Sequence, residues 1–172
     1  MKVVPFPSRP PFETVYEENY SKIYKYVYML LLNKEEAEDI VSATFLTAFE
    51  QYDKYDPSRA GVTTWLARIA HNRAVDRMRS SDYRTKEPLP EEDSRGFEDP
   101  ELARLTDGTD QMAYRILSRL TQEERDFLNM RFGLELSNAE VSALLDLKEN
   151  SVSKRYQRLL DKCRKIAEEI GA

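Results

Sequence analysis

TQEERDFLNMRFGLELSNAEVSALLDLKENSVSKRYQRLL, residues 121–160, carries two helix-start signals and one tight turn. Thr121 stands three residues before Glu124, and Ser137 three before Glu140. At that spacing a cap hydroxyl accepts from the backbone N–H three residues on, while the Glu carboxylate returns to the N–H of the cap. The first cap predicts a helix to Phe132, with Gly133 as a left-handed stop. The second predicts a short helix through Val141, Leu144 and Leu145. A turn around Asp146, Leu147 and Lys148 leads into a basic helix from about residue 150 to 170. Short capped helix, tight turn and basic helix form the pattern of a helix-turn-helix, whose second helix enters the DNA major groove.

The faces of that last helix separate. Val152, Tyr156, Leu159, Cys163 and Ile166 share an apolar stripe, while Asn150, Ser153, Lys154, Gln157, Arg158 and Lys165 fall outward. Polar groups at the N-terminal end of a recognition helix reach base edges, and cations meet phosphates. On the outward face Asn150, Ser153, Lys154, Gln157 and Arg158 are therefore candidates to meet a duplex.

A second basic helix lies far upstream, in TTWLARIAHNRAVDRMRS, residues 63–80. At about 100° per residue, Trp65, Ile69, Asn72, Asp76 and Arg79 share one stripe with Arg68 and Arg73 at its edges. Leu66, Ala67, Ala70, Ala74, Val75 and Met78 fall on the other side, a small alanine-rich surface suited to close helix packing. Alone, such a face reads as an ordinary solvated surface with Trp65 as a packing anchor. A second basic helix beyond the linker shifts the reading towards a nucleic-acid surface. His71 sits nearer the apolar half and reads as structural.

The net charge of −5 hides a segregated distribution. Residues 80–111 carry a net charge of −6 and residues 148–165 a net charge of +5. With Pro88, Pro90 and Pro100 and no apolar rhythm, residues 81–108 read as a flexible acidic linker. Four prolines in residues 1–11 predict an extended, poorly ordered arm. From Phe12 a helical pattern runs through Val15, Tyr16, Tyr20, Ile23, Tyr24, Val27, Tyr28 and Leu31. Asn33 with Glu36 opens a further helix that buries Ile40, Val41, Phe45, Ala48 and Phe49. Pro57 and Gly61 then break the helical pattern ahead of the Trp65 helix.

The expected fold is all-α: two small helical domains, residues 12–80 and 109–172, joined by the linker and preceded by the arm. No run approaches the roughly eighteen apolar residues of a membrane span, and no signal-peptide core stands at the N-terminus. A cytoplasmic protein is expected. One cysteine excludes an internal disulfide, and one histidine leaves almost no material for a zinc site or a Ser-His triad. Side-chain catalysis, a metal and a cofactor are not expected.

Taken together, these stretches resemble bacterial RNA polymerase sigma factors of the extracytoplasmic-function (ECF) type. AEDIVSATFLTAFEQYDKYDPSRAGVTTWLARIAHNRAVDRMRS resembles their region 2, and the stretch from Leu120 to Lys165 their region 4. The W-L-x-x-I-A-x-N-x-x-x-D-x-x-R pattern from Trp65 to Arg79 is the specific part. The resemblance implies promoter recognition, DNA melting and transcription initiation with core RNA polymerase. Asp39, Ile40, Ser42 and Phe45 would dock on the clamp coiled coil of the largest subunit, and the C-terminal domain on the flap. Trp65, Arg68, Asn72, Arg73, Asp76, Arg77 and Arg79, with the loop Asp53 to Thr63, would hold the single-stranded −10 element and a flipped base. Residues 149–158, with Asn150, Ser151, Ser153, Lys154, Arg155, Gln157 and Arg158 as the contacts, would read the −35 element. An anti-sigma partner is a family expectation, and no appended C-terminal module is expected. Two departures stand out: Ser42 and Ala43 follow Val41 where many relatives carry Gln and an acid, and Asp146 replaces a common Gly in the turn.

Two other readings remain in play. A stand-alone helix-turn-helix regulator would bind operators as a dimer, without polymerase, and would leave Trp65 to Arg79 without a task. A small helical enzyme using Glu35, Glu36, Glu38 and Asp39 on a metal is remote, since dipole compensation in a first helical turn explains those acids.

Overall fold

The computed structural model describes residues 9–80 and 111–171. The linker expected over residues 81–108 and residues 1–8 of the expected arm lie outside them. Every regular element among the described residues is helical. The chain divides into two compact units, Met1–Val75 and Asp76–Ala172, a division that falls in the last turn of the Trp65 helix rather than after it.

In the first unit, α1 (Phe12–Leu31) and α2 (Lys34–Gln51) form a hairpin. Leu32 turns the chain in the left-handed region (φ 52°), its N–H donating to the Tyr28 carbonyl. Asn33 then caps α2, accepting from the Glu36 N–H at 3.0 Å. A 3-10 turn (Tyr52–Lys54) and a loop lead to α3 (Val62–Arg79). Leu66, Ala67, Ala70 and Ala74 of α3 are fully buried, as the alanine-rich face predicts. Two polar links tie α3 to α1: Tyr26 Oη and His71 Nδ1 lie 3.2 Å apart, and Thr63 donates to Asn19 Oδ1 at 2.8 Å. His71 is thus structural, as expected.

Two expectations for this unit need correction. Tyr16 is 43% exposed, at the solvent end of the α1 aromatic stripe. Phe49, expected on the buried side of α2, is 63% exposed, because its position shares a stripe with Asp39, Ser42 and Leu46, which face solvent.

The second unit contains α4 (Gln111–Ser118), α5 (Gln122–Phe132), α6 (Asn138–Leu145) and α7 (Glu149–Gly171). Both capping boxes form. Thr121 Oγ1 accepts from Glu124 N and Glu124 Oε2 from Thr121 N, and Ser137 and Glu140 repeat the exchange. Buried Arg125 donates to the Leu120 carbonyl at 2.7 Å, satisfying backbone at the end of α4. Phe127, Met130, Val141, Val152, Tyr156 and Leu159 form the core.

Gly133 does not act as a left-handed stop. Its φ is −84°, and the positive φ falls on Glu135 (56°) instead. Glycine is needed here for space: a Cβ would meet the Asn129 carbonyl oxygen at 2.9 Å, where the backbone N–H groups of Gly133 and Leu134 both converge. Asp146 does take the left-handed conformation at the helix-turn-helix corner (φ 54°, ψ 47°). Its N–H and that of Leu147 both donate to the Ser142 carbonyl, and the Ser142 hydroxyl donates to the Leu147 carbonyl.

Glu124 also ties α5 to α7, accepting from Lys162 Nζ at 2.8 Å. Burial raises its carboxyl pKa, but the hydrogen bonds from Lys162 and Thr121 outweigh that, and the net shift is downward. A depressed carboxylate contributes stability that is complete above its unfolded pKa and is lost as pH falls through the folded one. Glu124→Gln is therefore expected to flatten the loss of stability below about pH 4.5, the ordinary value for this group. Urea unfolding by circular dichroism at a series of acid pH values checks it; parallel curves for both proteins contradict it.

Candidate functional site

Two exposed polar helix faces stand out, one on α3 and one on α7. On α3, Arg68, Asn72, Arg73, Asp76 and Arg79 are exposed, while Trp65 and Ile69 are half-buried at the base of the same stripe. Arg73 Nη2 donates to Thr47 Oγ1 of α2 at 2.5 Å, which fixes one guanidinium of the face. Arg77 departs from its expected place. It lies about 120° around the helix from Trp65, half-buried, with Nη1 donating to Ser80 Oγ at 2.8 Å. Its position is set by the helical period, which puts it beside Leu66 and Ala70.

Trp65 belongs to an aromatic cluster that sequence reasoning only half anticipated. Its ring lies 4.8 Å from Tyr55 and 6.2 Å from Tyr52, and those two tyrosines stack 6.0 Å apart at 12°. The loop beside them is tightly built. Pro57 follows Asp56 at the first corner of a turn closed by Arg59 N donating to Asp56 O at 3.1 Å. Asp56 Oδ1 accepts from the Ser58 N–H and hydroxyl at 2.9 and 2.6 Å, and Tyr55 Oη donates to the Ala60 carbonyl. The Ser58 hydrogen bonds, with Arg59 and Arg9 adding to them, hold the Asp56 carboxyl below its usual range. Burial, with Tyr52 and Asp56 adding to it, pushes the Tyr55 phenol up, so it remains a donor at neutral pH. The arrangement offers rings for stacking, a hydrogen-bonding amide at Asn72 and cations along one ridge.

On α7, Asn150, Ser151, Ser153, Lys154, Gln157 and Arg158 are exposed. Arg155 is different: half-buried, it reaches back to α5, with Nη2 3.5 Å from Glu123 Oε2 and its guanidinium carbon 4.6 Å from the Phe127 ring centroid. Position 155 borders the buried stripe of Val152, Tyr156 and Leu159, which turns its side chain towards α5. Cys163 is half-buried, and burial raises its thiol pKa, with Glu124 adding to the rise, which fits a packed thiol.

The set expected to dock on polymerase divides. Asp39 and Ser42 are exposed, whereas Ile40 and Phe45 are core residues at 7% and 4% exposure, Phe45 meeting Tyr16 and Tyr20 of α1. The apolar groups that do stand on the solvent face are Leu46 and Phe49, 60% and 63% exposed. The spacing 39, 42, 46, 49 is the signal that finds them.

Residues 15–84 match the Sigma-70 region 2 family, and residues 110–163 match Sigma-70, region 4. The chain belongs to the sigma-70 family, in its ECF branch. As an ECF sigma chain it is 28% identical to the ECF RNA polymerase sigma factor BldN of Streptomyces coelicolor over 82% of its own length, a match spanning 54% of BldN. It is also 28% identical to the ECF RNA polymerase sigma factor RpoE of Cereibacter sphaeroides, over 75% of this chain and 71% of that one. The fold is similar to that of the sigma factor RpoE from Bartonella quintana, solved with the anti-sigma factor NepR (TM-score 0.67, 16% identity, 91% of this chain and 96% of that one). The first family region takes in the α3 face and the second takes in the N-terminal half of α7 with its exposed face. Among the described residues, no cluster of His, Cys, Asp and Glu could hold a metal, and no helix is long and apolar enough to cross a membrane.

Proposed function

We propose that this sigma-70 member associates with core RNA polymerase in the cytoplasm, places it at promoters and assists melting, contributing no covalent step of its own. The carrying observation is the pairing of two exposed polar helix faces with two ordered family regions. In this reading Asn72, Arg68, Arg73, Asp76 and Arg79 take the single-stranded −10 element, with the Trp65, Tyr55 and Tyr52 cluster walling the base site. Arg77 acts from beneath, bracing the end of α3. Asn150, Ser151, Ser153, Lys154, Gln157 and Arg158 read the −35 duplex, and Arg155 aligns α7 on α5. Asp39, Ser42, Leu46 and Phe49 form the polymerase-docking face, backed by Ile40 and Phe45 from the core. The C-terminal unit engages the flap. An anti-sigma protein is the expected antagonist.

The energetics support this division. Flipping a base costs a few kcal/mol of unstacking, which aromatic contacts of about 1–3 kcal/mol per base offset. Weak contacts at two elements suffice when both units are tethered to one polymerase, because the second contact becomes intramolecular. A net charge of −5 then limits unassisted binding to bulk DNA.

The test separates the two elements. With core polymerase, Asn72→Ala is expected to slow open-complex formation about tenfold, as for loss of one such contact, while leaving closed-complex affinity within about twofold. Lys154→Ala should weaken the closed complex and its salt dependence while sparing the melting step. Equal defects at both steps for both variants contradict the division.

A further inference from the structure

The chain just ahead of α1 makes contacts that the roles above leave unused. Arg9 Nη1 donates to the Tyr52 carbonyl at 2.6 Å, and the Tyr52 hydroxyl donates back to the Pro10 carbonyl. The Phe12 ring meets Tyr52 and Phe49 edge-on, each at 5.3 Å. The Pro11 carbonyl accepts from the Val15 N–H at 3.2 Å, so this segment runs without a break into α1. Two consecutive prolines restrict its backbone. The 3-10 turn is thus held at two points, its main chain by Arg9 and its ring by Pro10.

Tyr52 is the member of the aromatic cluster that passes this restraint on. It stacks on Tyr55, which in turn lies against Trp65 and donates to Ala60 across the loop. The Arg9 charge also acts on Asp56, the residue around which the loop turn is built. One exposed arginine therefore influences both the cluster and the loop that flank the α3 face.

We propose that Arg9 to Pro11 form a strap that positions the Tyr52, Tyr55 and Trp65 wall of the −10 base site, with Arg9 as a positioning residue. The inference rests on the reading of that site as the single-strand −10 contact. The strap acts by holding a preformed wall, so that a base enters without the protein first ordering the turn. Losing either anchor frees the same turn, so the two anchors act as one unit.

The full-length protein with core polymerase tests this, on a promoter carrying 2-aminopurine in its −10 element, whose fluorescence rises on unstacking. Arg9→Ala and Tyr52→Phe are each expected to slow that signal about tenfold with closed-complex affinity unchanged. The double variant should be no slower than either single one, since both break one strap. Arg9→Lys, which keeps the charge and loses the planar fork, should recover the rate only in part. Rates equal to wild type in both single variants overturn the strap. So does a defect of Arg9→Ala that Arg9→Lys fully restores while Tyr52→Phe behaves as wild type, since that pattern marks a charge contact to DNA. A wild-type protein that opens no promoter overturns the −10 reading itself and the strap with it.

Discussion

Leu46→Asp combined with Phe49→Asp is expected to lower affinity for core RNA polymerase by at least about 100-fold while leaving the fold intact. Both side chains are more than half exposed on one stripe of α2, so neither fills the core. An apolar residue at the centre of a protein interface contributes about 2 kcal/mol or more, and two of them account for roughly 4 kcal/mol, or about a thousandfold. A carboxylate at each position adds the cost of burying an unpaired charge, so the lower bound of 100-fold allows for incomplete burial. The thermal midpoint should move by only a few degrees, since Leu46 is a surface position and Phe49 gives up one edge contact with Phe12, worth about 1 kcal/mol. Fluorescence anisotropy of labelled protein titrated with core polymerase gives the affinity. Unchanged binding would place the docking surface elsewhere. Ile40→Ala and Phe45→Ala make the contrasting pair: buried against α1, they should lower stability rather than the affinity of the folded protein.

Phe127→Ala should destabilise the C-terminal unit by about 3–5 kcal/mol, the usual range for removing a buried phenyl ring. Phe127 is 1% exposed, and it joins α5 to α7 in three ways. Its ring centroid lies 4.2 Å from that of Tyr156, Arg155 sits over its ring, and its carbonyl accepts the Tyr156 hydroxyl at 2.6 Å. Burial raises the Tyr156 phenol well above its ordinary value, so this donor keeps its proton throughout the working pH range. A loss of that size approaches the whole stability of a small unit. Hydrogen exchange should therefore show residues 111–171 losing protection while α1 to α3 keep theirs. Promoter complexes of the variant should lose their dependence on the −35 sequence. A change below about 1 kcal/mol, with exchange unaltered, would mean that the unit closes around the missing ring and that the α5 to α7 contact is not the support assigned to it.

The parts of the fold that local rules govern were legible. Both capping boxes depend on residues three apart, and both formed at Thr121 and Ser137. The left-handed corner at Asp146 follows from its place between two helices. The alanine-rich face of α3 was buried because no other face of that helix could be. The misreadings share another cause. Helix α2 carries apolar residues on two faces, and periodicity alone does not say which of Phe45 and Phe49 is buried. The sequence suggests backbone freedom at Gly133, whereas its requirement is the space beside Asn129, which only the folded chain defines. Arg155 borders two faces, and the pull of Glu123 and Phe127 from another helix decides its direction. Of the candidate nucleic-acid site, the α3 stripe was readable, but the Tyr52 and Tyr55 wall was not, because it arises from a turn folding back on Trp65. The contacts of Arg9 lay further out of reach, being made across more than forty residues of sequence.

In the function proposed above, both units serve one task on one polymerase. Run-off transcription with core polymerase, with and without this protein, on a library randomised at two upstream elements tests it most directly. Defined start sites are expected that appear only with the protein and that are lost when either element is changed. Polymerase-independent footprints at operators, with no new start sites in the presence of polymerase, would contradict it.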